Sequence, residues 1–332
     1  MKKITVLAGG VGGARFTRGL IDHLSQGAKE DSSFELTVVV NTGDDMWLDG
    51  LRICPDLDTV MYTLGGGINE EQGWGRPEES RRTSSEIAAY GRGWPWFTLG
   101  DLDLATHIVR SDLLRSGSSL SETTEFLARR WQPRANILPM SDEWVETHVE
   151  LMQDIDEHKR GDLIHFEEWW VRYRASVAVS RFVQVGLEHA KPAPGVIPAI
   201  LSADIVVLPP SNPVVSIGTI LSIPGIRDAL VHTSARVIGI SPIISGAAVR
   251  GMADQCLKVL GIETSALAVG LHYGSRQSGG ILDAWLVDET DLAAVAVLEA
   301  HGIHSEAVPL WMSDVSTTAA LAAQVFSISS RV

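Results

Sequence analysis

The 332-residue sequence predicts an α/β fold, a Rossmann-like three-layer parallel sheet with an inserted, mainly helical cap region. Short runs of β-branched and other apolar residues alternate with segments whose apolar residues recur at helical spacing. The alternation stops after residue 109 and resumes at 191, where the sequence Lys-Pro-Ala-Pro-Gly reads as a linker. We therefore predict a core formed by residues 1–109 and 191–332, with residues 110–190 as an insertion.

Composition excludes several classes of protein. The formal net charge of −14 argues against a protein that binds the phosphate backbone of nucleic acids. The 45% of apolar residues allow a sizeable core. The two cysteines, Cys54 and Cys256, make a disulfide framework implausible. The apolar run in residues 1–8 is too short for a signal peptide, and no stretch reaches the length of a membrane span. We expect a cytoplasmic protein that binds neither nucleic acid nor membrane.

The first strand is predicted over residues 3–8 and leads into the glycine run 9–13 and a helix. Glycine amides and a helix start together favour binding of an anion such as phosphate, although a tight strand–helix turn is the alternative. The dinucleotide fingerprint is imperfect: if Gly10 and Gly12 are its first two glycines, Arg15 occupies the third position. The run also lacks the Gly-Lys-Ser/Thr of a P-loop, so we favour a phosphate-binding loop of another kind.

An acidic stretch follows the second predicted strand, residues 36–40. Its five carboxylates are Asp44, Asp45, Asp49, Asp56 and Asp58. Such crowding is unfavourable unless a cation or hydrogen-bond donors compensate. A solvated loop is the alternative, but the interspersed apolar residues indicate an ordered segment and hence a metal-bearing site. Asp56 and Asp58 also suit the first turn of a short helix, where carboxylates favour the helix dipole.

The middle of the chain predicts a helix near 84–90, another beginning at Asp101 or Asp103, and a third after the capping box of residues 119–122. On the second of these helices, His107 and Arg110 share one side. Residues 145–151 alternate as an edge or half-exposed strand that pairs with 163–166. The aromatic-rich segment after it, residues 167–174, suits either a flat ring ligand or a domain seam.

The α/β rhythm then resumes, with strands predicted at 204–208, 237–240, 281–287 and 307–308, and helices near 248–260, 290–300 and 314–328. Four predicted strands end in polar or turn residues, namely the glycine run, Asn-Thr-Gly-Asp-Asp, Ser-Asn-Pro and Ser-Pro. In an open parallel sheet such ends share one edge, where ligands bind. Hard oxygen ligands favour magnesium, so the residues predict magnesium-assisted chemistry on a nucleotide diphosphate.

Five motifs in order resemble the 2-phospho-L-lactate transferase family, whose actinobacterial members are called phosphoenolpyruvate transferases. In this sequence they read Asn41-Thr42-Gly43-Asp44-Asp45-x-Trp47, Pro55-Asp56-Leu57-Asp58-Thr59, Leu99-Gly100-Asp101-x-Asp103-x-Ala105-Thr106-His107, Asn136-Ile137-Leu138-Pro139-Met140-Ser141-Asp142 and Pro210-Ser211-Asn212-Pro213-x-x-Ser216-Ile217. The resemblance implies transfer of a phosphoenolpyruvyl or 2-phospho-L-lactyl group from its guanosine diphosphate ester to the ribityl hydroxyl of the deazaflavin Fo. The other product is GMP, and the pathway is coenzyme F-420 biosynthesis.

The resemblance also implies roles for particular residues. The donor's nucleotide and phosphates would contact Gly10, Gly12, Gly13, Ala14, Ser211, Asn212, Pro213 and Ser216. Mg²⁺ would be held by Asp45 and Asp58, which form the catalytic set together with Asp56. The hydroxyl proton would pass to Asp56 or to a water ordered by a neighbouring carboxylate. The acceptor would contact Asp56, Thr98, Asp101, His107, Arg110, Trp169 and Trp170, with the insertion contributing to this site. The resemblance also implies a homodimer.

Two departures from archaeal relatives bear on these roles. Those relatives carry Gly-Thr-Gly in the first loop and a lysine before Leu-Gly-Asp, where this sequence has residues 11–13 as Val-Gly-Gly and Thr98. The Gly-Gly-Val-Gly-Gly-Ala-Arg run resembles actinobacterial members, which favours the enolpyruvyl donor. The alternative class is a non-catalytic nucleotide-sugar-binding regulatory protein on the same scaffold, which would need neither the aspartates nor the aromatics. A dinucleotide-dependent oxidoreductase is disfavoured by Arg15.

Overall fold

The computed structural model describes residues 1–26 and 34–331. The strands of these ranges, in chain order, are β1 Lys2–Ala8, β2 Phe34–Val40, β3 Met46–Leu48, β4 Leu51–Ile53, β5 Asn136–Pro139, β6 Glu146–Leu151, β7 Leu163–His165, β8 Val179–Val185, β9 Ile205–Leu208, β10 Arg236–Ile240, β11 Ile243–Ile244, β12 Ala247–Ala248, β13 Ala284–Val287 and β14 His304–Ala307. The α-helices are α1 Gly10–Gln26, α2 Pro55–Leu64, α3 Arg82–Ala89, α4 Asp101–Arg115, α5 Leu120–Trp131, α6 Val196–Leu201, α7 Ile217–Ser222, α8 Ile226–His232, α9 Ala253–Val259, α10 Ala266–Tyr273, α11 Ala293–Ala300 and α12 Val315–Ser329.

A seven-stranded sheet forms the centre, in the order β14-β13-β10-β9-β1-β2-β5, and every pair in it is parallel. From β1 the chain adds β2 and β5 on one side, and β9, β10, β13 and β14 on the other. The order therefore reverses between β1 and β9, which creates a crevice beyond their carboxyl ends. The predicted α/β fold is confirmed.

Alternate residues of β1 belong to different hydrophobic cores. Val6 packs into the layer that includes Phe16 of α1, whereas Leu7 packs into the layer that includes Ile217 of α7. Both faces of the sheet are thus covered, which explains why its strands read as continuous apolar runs. Each fully buried aliphatic side chain contributes about 1.5–3 kcal/mol to folding.

The inserted region contains strands as well as helices. The predicted boundary at residue 110 falls inside α4, and β5 belongs to the central sheet, where Ile137 lies opposite Val38 of β2. Four residues ending in Pro139 are too few to show a period, and proline suits the edge position that β5 occupies. β6, β7 and β8 form a separate antiparallel sheet.

Within that antiparallel sheet β6 is the middle strand, not an edge, because β7 and β8 pair on its two sides. Elsewhere the predicted elements hold with shifted ends. The expected helix at 248–260 is the shorter α9, and residue 248 belongs instead to the hairpin strand β12. No helix of the described ranges has the length and apolarity needed to cross a bilayer.

Candidate active site

A cavity of about 1180 Å³ opens at the carboxyl ends of the central strands. Its wall includes residues that follow each of four strands: Gly9 after β1, Asp44 after β2, Pro210 after β9 and Ser241 after β10. The predicted convergence of the four strand ends is therefore confirmed. Because single-ligand pockets commonly measure roughly 300–1000 Å³, this volume suits two substrates together.

The glycine run forms the first turn of α1, where the backbone amides have no partner within the helix itself. Gly10 adopts φ +55°, a left-handed conformation that favours glycine. At Gly12 an added Cβ would lie 2.2 Å from the carbonyl oxygen of Pro210, so the loops after β1 and β9 touch here. Ser211 Oγ fastens them further, donating to the Gly9 carbonyl at 2.9 Å. These glycines therefore serve the packing of two loops as well as access to an anion.

Five of the eight predicted nucleotide-contacting residues line the cavity, namely Gly10, Gly12, Ser211, Asn212 and Ser216. The other three, Gly13, Ala14 and Pro213, are not among its lining residues. A Cβ on Gly13 would meet Ala8 Cβ at 2.7 Å, so this glycine packs the helix onto β1. The side-chain oxygen of Asn212 accepts from the backbone N–H of Val214 at 2.9 Å, which fixes the turn after β9.

Two buried carboxylates, Asp44 and Asp56, line the cavity beside the glycine turn. Asn41 Nδ2 donates to both, at 3.2 Å to Asp44 and 2.9 Å to Asp56. Burial raises the pKa of Asp44 well above its usual range, and the nearby Asp56 and Glu167 carboxyls raise it further. Burial also raises the pKa of Asp56 to about 6, opposed by hydrogen bonds from Asn41 and the Gly10 backbone.

Glu167, which was not among the predicted site residues, lines the cavity from the segment after β7. Burial, and then the charge of Asp56, raise its pKa to about 8. Its signal in the sequence was a glutamate pair directly after a strand, but nothing there indicated that this strand's end approaches the cavity. Asp44, Asp56 and Glu167 thus form one group of mutually repelling carboxyls, which we call the carboxylate cluster.

Asp45 turns away from the cavity. Its side chain is fully buried, Arg52 Nη2 lies 3.3 Å from its Oδ2, and it is not among the lining residues. Burial raises the pKa of Asp45 to about 7 despite the charge of Arg52. The predicted metal-binding role of Asp45 stays a prediction, and Asp44 is the neighbour that reaches the cavity wall.

Asp58 lines the cavity and takes part in a buried network. Both terminal nitrogens of Arg110 donate to the Asp58 carboxylate, one of them at 3.0 Å to Oδ2. His107 lies between two carboxylates, with Nδ1 3.6 Å from Asp58 and Nε2 3.4 Å from Asp103. Burial raises the pKa of Asp58, and Arg110 opposes that rise. His107 reaches the cavity wall, whereas the nearly fully buried Arg110 acts behind Asp58.

Aromatic residues form another, apolar part of the cavity wall. Trp96, Phe97 and Trp170 line the cavity together with Thr98, and Trp96 stacks on a further tryptophan, Trp94, at 4.8 Å between ring centroids. The density of aromatic residues in the sequence indicated 169–170 as ring contacts, whereas residues 94–97 show little periodicity. These rings provide a flat apolar surface of the kind that stacks on a planar ligand.

Besides Arg110, two residues predicted at the acceptor do not line the cavity. Trp169 is only 1% exposed, and its Nε1 donates to the Val177 carbonyl at 2.9 Å, so it belongs to the core of the insertion. Asp101 is exposed and accepts from Ser80 Oγ at 2.9 Å, away from the cavity lining. Consecutive residues of a helical turn point in different directions, and here Trp170 is the one that faces the cavity.

The donor set fits a hard divalent cation. Asp44 and Asp45 each keep one buried oxygen, Oδ1, without a hydrogen-bond partner among the described residues. A second group of possible ligand atoms, on Asp58, Asp103 and His107, lies within 4.8 Å of one another. Buried carboxylate oxygens without donors are what Mg²⁺ or Ca²⁺ satisfies, and bound phosphate completes such a coordination sphere.

Comparison with known proteins decides the family. The model of a family described as 2-phospho-L-lactate transferase CofD matches residues 4–327. The chain belongs to the 2-phospho-L-lactate transferase family. It is therefore a transferase, and the resemblance carried by the five motifs is confirmed.

Named relatives of the 2-phospho-L-lactate transferase family include proteins called phosphoenolpyruvate transferase. The one from Streptomyces griseus is 56% identical over 330 residues, covering 99% of both chains. Those from Thermobifida fusca and Mycolicibacterium smegmatis are 57% and 56% identical over 321 residues, covering 96% of this chain and 95% and 96% of theirs. A crystal structure of a UPF0052 protein from Bacillus halodurans shares the fold, with a TM-score of 0.59, 16% identity and 98% of both chains covered.

Proposed function

We propose that this protein transfers a phosphoenolpyruvyl group from its guanosine diphosphate ester to the ribityl hydroxyl of Fo. The products are dehydro-F-420-0 and GMP; with the 2-phospho-L-lactyl donor the first product is F-420-0. One observation carries the proposal: the amide-rich start of α1 and the carboxylate cluster face the same cavity, which also has an aromatic wall. Such a cavity suits a diphosphate, a cation and a planar ring at once. The names of relatives more than 50% identical support the same donor.

In the proposed complex, the donor's diphosphate lies against the first turn of α1 and the Ser211–Asn212 turn. Helix-start amides and the positive end of the dipole favour phosphate there. The contact between Gly12 and the Pro210 carbonyl keeps these two segments at a fixed separation before the donor binds. A preformed cradle of this kind lowers the entropy lost on binding.

Magnesium is the proposed cofactor, held by carboxylates that follow β2 and begin α2, with Asp44 and Asp56 at the cavity wall. When bound, such an ion neutralises charge on the transferring phosphoryl group and aligns the displacement. The side chains of the cluster supply the hard oxygen ligands. Asn41 holds two of them at hydrogen-bonding distance without neutralising them.

In the proposed complex, the acceptor ring packs against Trp96, Phe97 and Trp170, with Thr98 at its edge. Its ribityl chain then extends toward the carboxylate cluster. The attacking hydroxyl forms a bond to the phosphorus that bears the enolpyruvyl group, the bond to the GMP oxygen breaks, and the hydroxyl proton passes to a carboxylate. Asp56, or a water ordered by a neighbouring carboxylate, is the acceptor of that proton in this proposal.

The test uses purified protein, Mg²⁺, Fo and each of the two guanosine diphosphate esters in turn. We expect GMP and a charged deazaflavin to form in equal amounts, faster with the enolpyruvyl donor. GDP binding without any turnover on either donor would overturn the proposal and favour the regulatory alternative. Dimerisation and a cytoplasmic location are further proposals; sedimentation velocity tests the first.

A further inference from the structure

One stretch of the insertion presents its residues to the cavity between β7 and β8. Five of its side chains line the cavity: Phe166, Glu167, Trp170, Val171 and Arg174. A π-helical turn, Glu168–Arg172, forms most of this stretch. π-Helical turns are rare in proteins, and those that occur are often found at functional sites.

The turn ends in a strained conformation. Arg174 and Ala175 have φ of +50° and +51°, so two consecutive residues other than glycine adopt the left-handed region. This arrangement persists only where the surroundings enforce it. The buried Trp169 enforces it here, because its carbonyl accepts from the Ala175 N–H at 2.8 Å and its indole donates to the Val177 carbonyl at 2.9 Å.

Four arginines line the cavity, and three of them donate to backbone carbonyls. Arg15 donates to Glu70 at 3.3 Å, Arg81 donates to Thr98 at 3.4 Å, and Arg250 donates to Gln72. Arg174, by contrast, forms no hydrogen bond or ion pair within the described ranges 1–26 and 34–331, and it is exposed. The strained turn thus carries a guanidinium whose donors are all available to a ligand.

The position of this arginine indicates which ligand. It lines the cavity from the same stretch as Glu167, and the other two members of the carboxylate cluster, Asp44 and Asp56, line that cavity too. The transferring group of the proposed donor lies at this cluster, while the start of α1 accounts for the diphosphate. The remaining anion of the donor is the carboxylate of its three-carbon acid.

We infer that Arg174 binds the carboxylate of the group being transferred and so selects donors that carry one. The inference rests on the proposed function. A guanidinium forms two parallel hydrogen bonds with a carboxylate, which fixes orientation as well as affinity.

The test measures binding by calorimetry in the presence of Mg²⁺, without Fo, so that turnover is not needed. The ligands are the enolpyruvyl donor, GDP, and a GDP ester of a simple alcohol without a carboxylate. For Arg174→Gln we expect the donor affinity to fall on the order of tenfold to a hundredfold, with GDP and the alcohol ester within twofold of the original. Arg174→Lys keeps the charge and should recover part of the loss.

The matched control is Arg160→Gln, an exposed arginine elsewhere in the insertion that does not line the cavity. It should leave all three affinities unchanged. Equal weakening of GDP and donor by Arg174→Gln would assign the arginine to the diphosphate and overturn the inference, as would unchanged donor affinity. Failure of the unaltered protein to bind the donor would instead overturn the proposed function, and this inference with it.

Discussion

The side-chain amide of Asn41 donates to the carboxylate of Asp56 at 2.9 Å, joining the end of β2 to the first turn of α2. The same nitrogen lies 3.2 Å from Asp44, and the Asn41 N–H donates to the Ala8 carbonyl at 3.0 Å. Three segments are therefore tied at one point. Because an amide is neutral, it holds the carboxylates together and leaves their charge to be balanced by protons or by a cation.

Two neighbouring aspartates should give opposite results when each is changed to asparagine. Asp44→Asn removes a repelling carboxylate at the cavity, so we expect turnover to fall about a hundredfold or more while thermal stability holds or rises. Asp45→Asn breaks the buried pair with Arg52, so the free energy of unfolding should fall by about 3 kcal/mol. Steady-state kinetics and urea unfolding separate the two. If Asp45→Asn lost activity without stability, Asp45 would be the ligand instead.

Stability should depend on pH and magnesium together. The raised pKa of Glu167, about 8 against an ordinary 4.5, means that the folded state binds this proton more tightly than the unfolded state. Folding stability therefore falls as pH rises from about 4.5 to about 8, and Asp56 adds to the fall up to about 6. A bound cation replaces these protons, so its apparent affinity should rise with pH by up to about tenfold per unit for each proton displaced.

The check on that dependence is thermal unfolding at pH 6, 7 and 8, with and without Mg²⁺. The stabilisation by Mg²⁺ should be largest at pH 8, and Asp44→Asn should reduce it at every pH. A magnesium shift of the same size at all three pH values would show that the ion binds away from the carboxylate cluster.

Adjacent tryptophans of the insertion offer another matched pair. Trp169→Ala removes a core side chain and should cost about 3–5 kcal/mol of stability, measured by urea unfolding. Trp170→Ala should leave most of the stability and raise the KM for Fo about tenfold, because a stacking surface is lost. Equal effects of both changes on the KM, after correction for folded protein, would argue against stacking on Trp170.

The glycine turn can be tested by adding one methyl group. In Gly12→Ala the new Cβ meets the Pro210 carbonyl at 2.2 Å, so the two loops must separate. We expect a stability loss of roughly 1–3 kcal/mol and weaker GDP binding by calorimetry. Gly117→Ala is the control: its φ of +97° costs about 1 kcal/mol, but nothing lies within 4 Å and GDP affinity should not change. If Gly12→Ala bound GDP as tightly as the original protein, the proposed position of the donor at this turn would be wrong.

Local pattern predicted the frame of the site well. The continuous apolar run of residues 204–208 predicted β9. The polar residues after it were expected at the sheet edge, and the structure has them there. Strand β5 was harder, because its four residues show no period, and its place beside β2 depends on pairing across almost a hundred residues of chain. Pairing at such distance leaves no local trace.

Local pattern was enough to predict the α/β fold, the order of the motifs and their meeting at one sheet edge, because burial imposes periodicity and parallel strands share their direction. The choice between two neighbours required the folded chain: Asp44 and Trp170 line the cavity, whereas Asp45 and Trp169 do not. Glu167 and the strained Arg174 also reach the cavity only through the packing of the insertion. Adjacent side chains always point in different directions, and which of them faces the cavity depends on how distant segments pack, which no local pattern reveals.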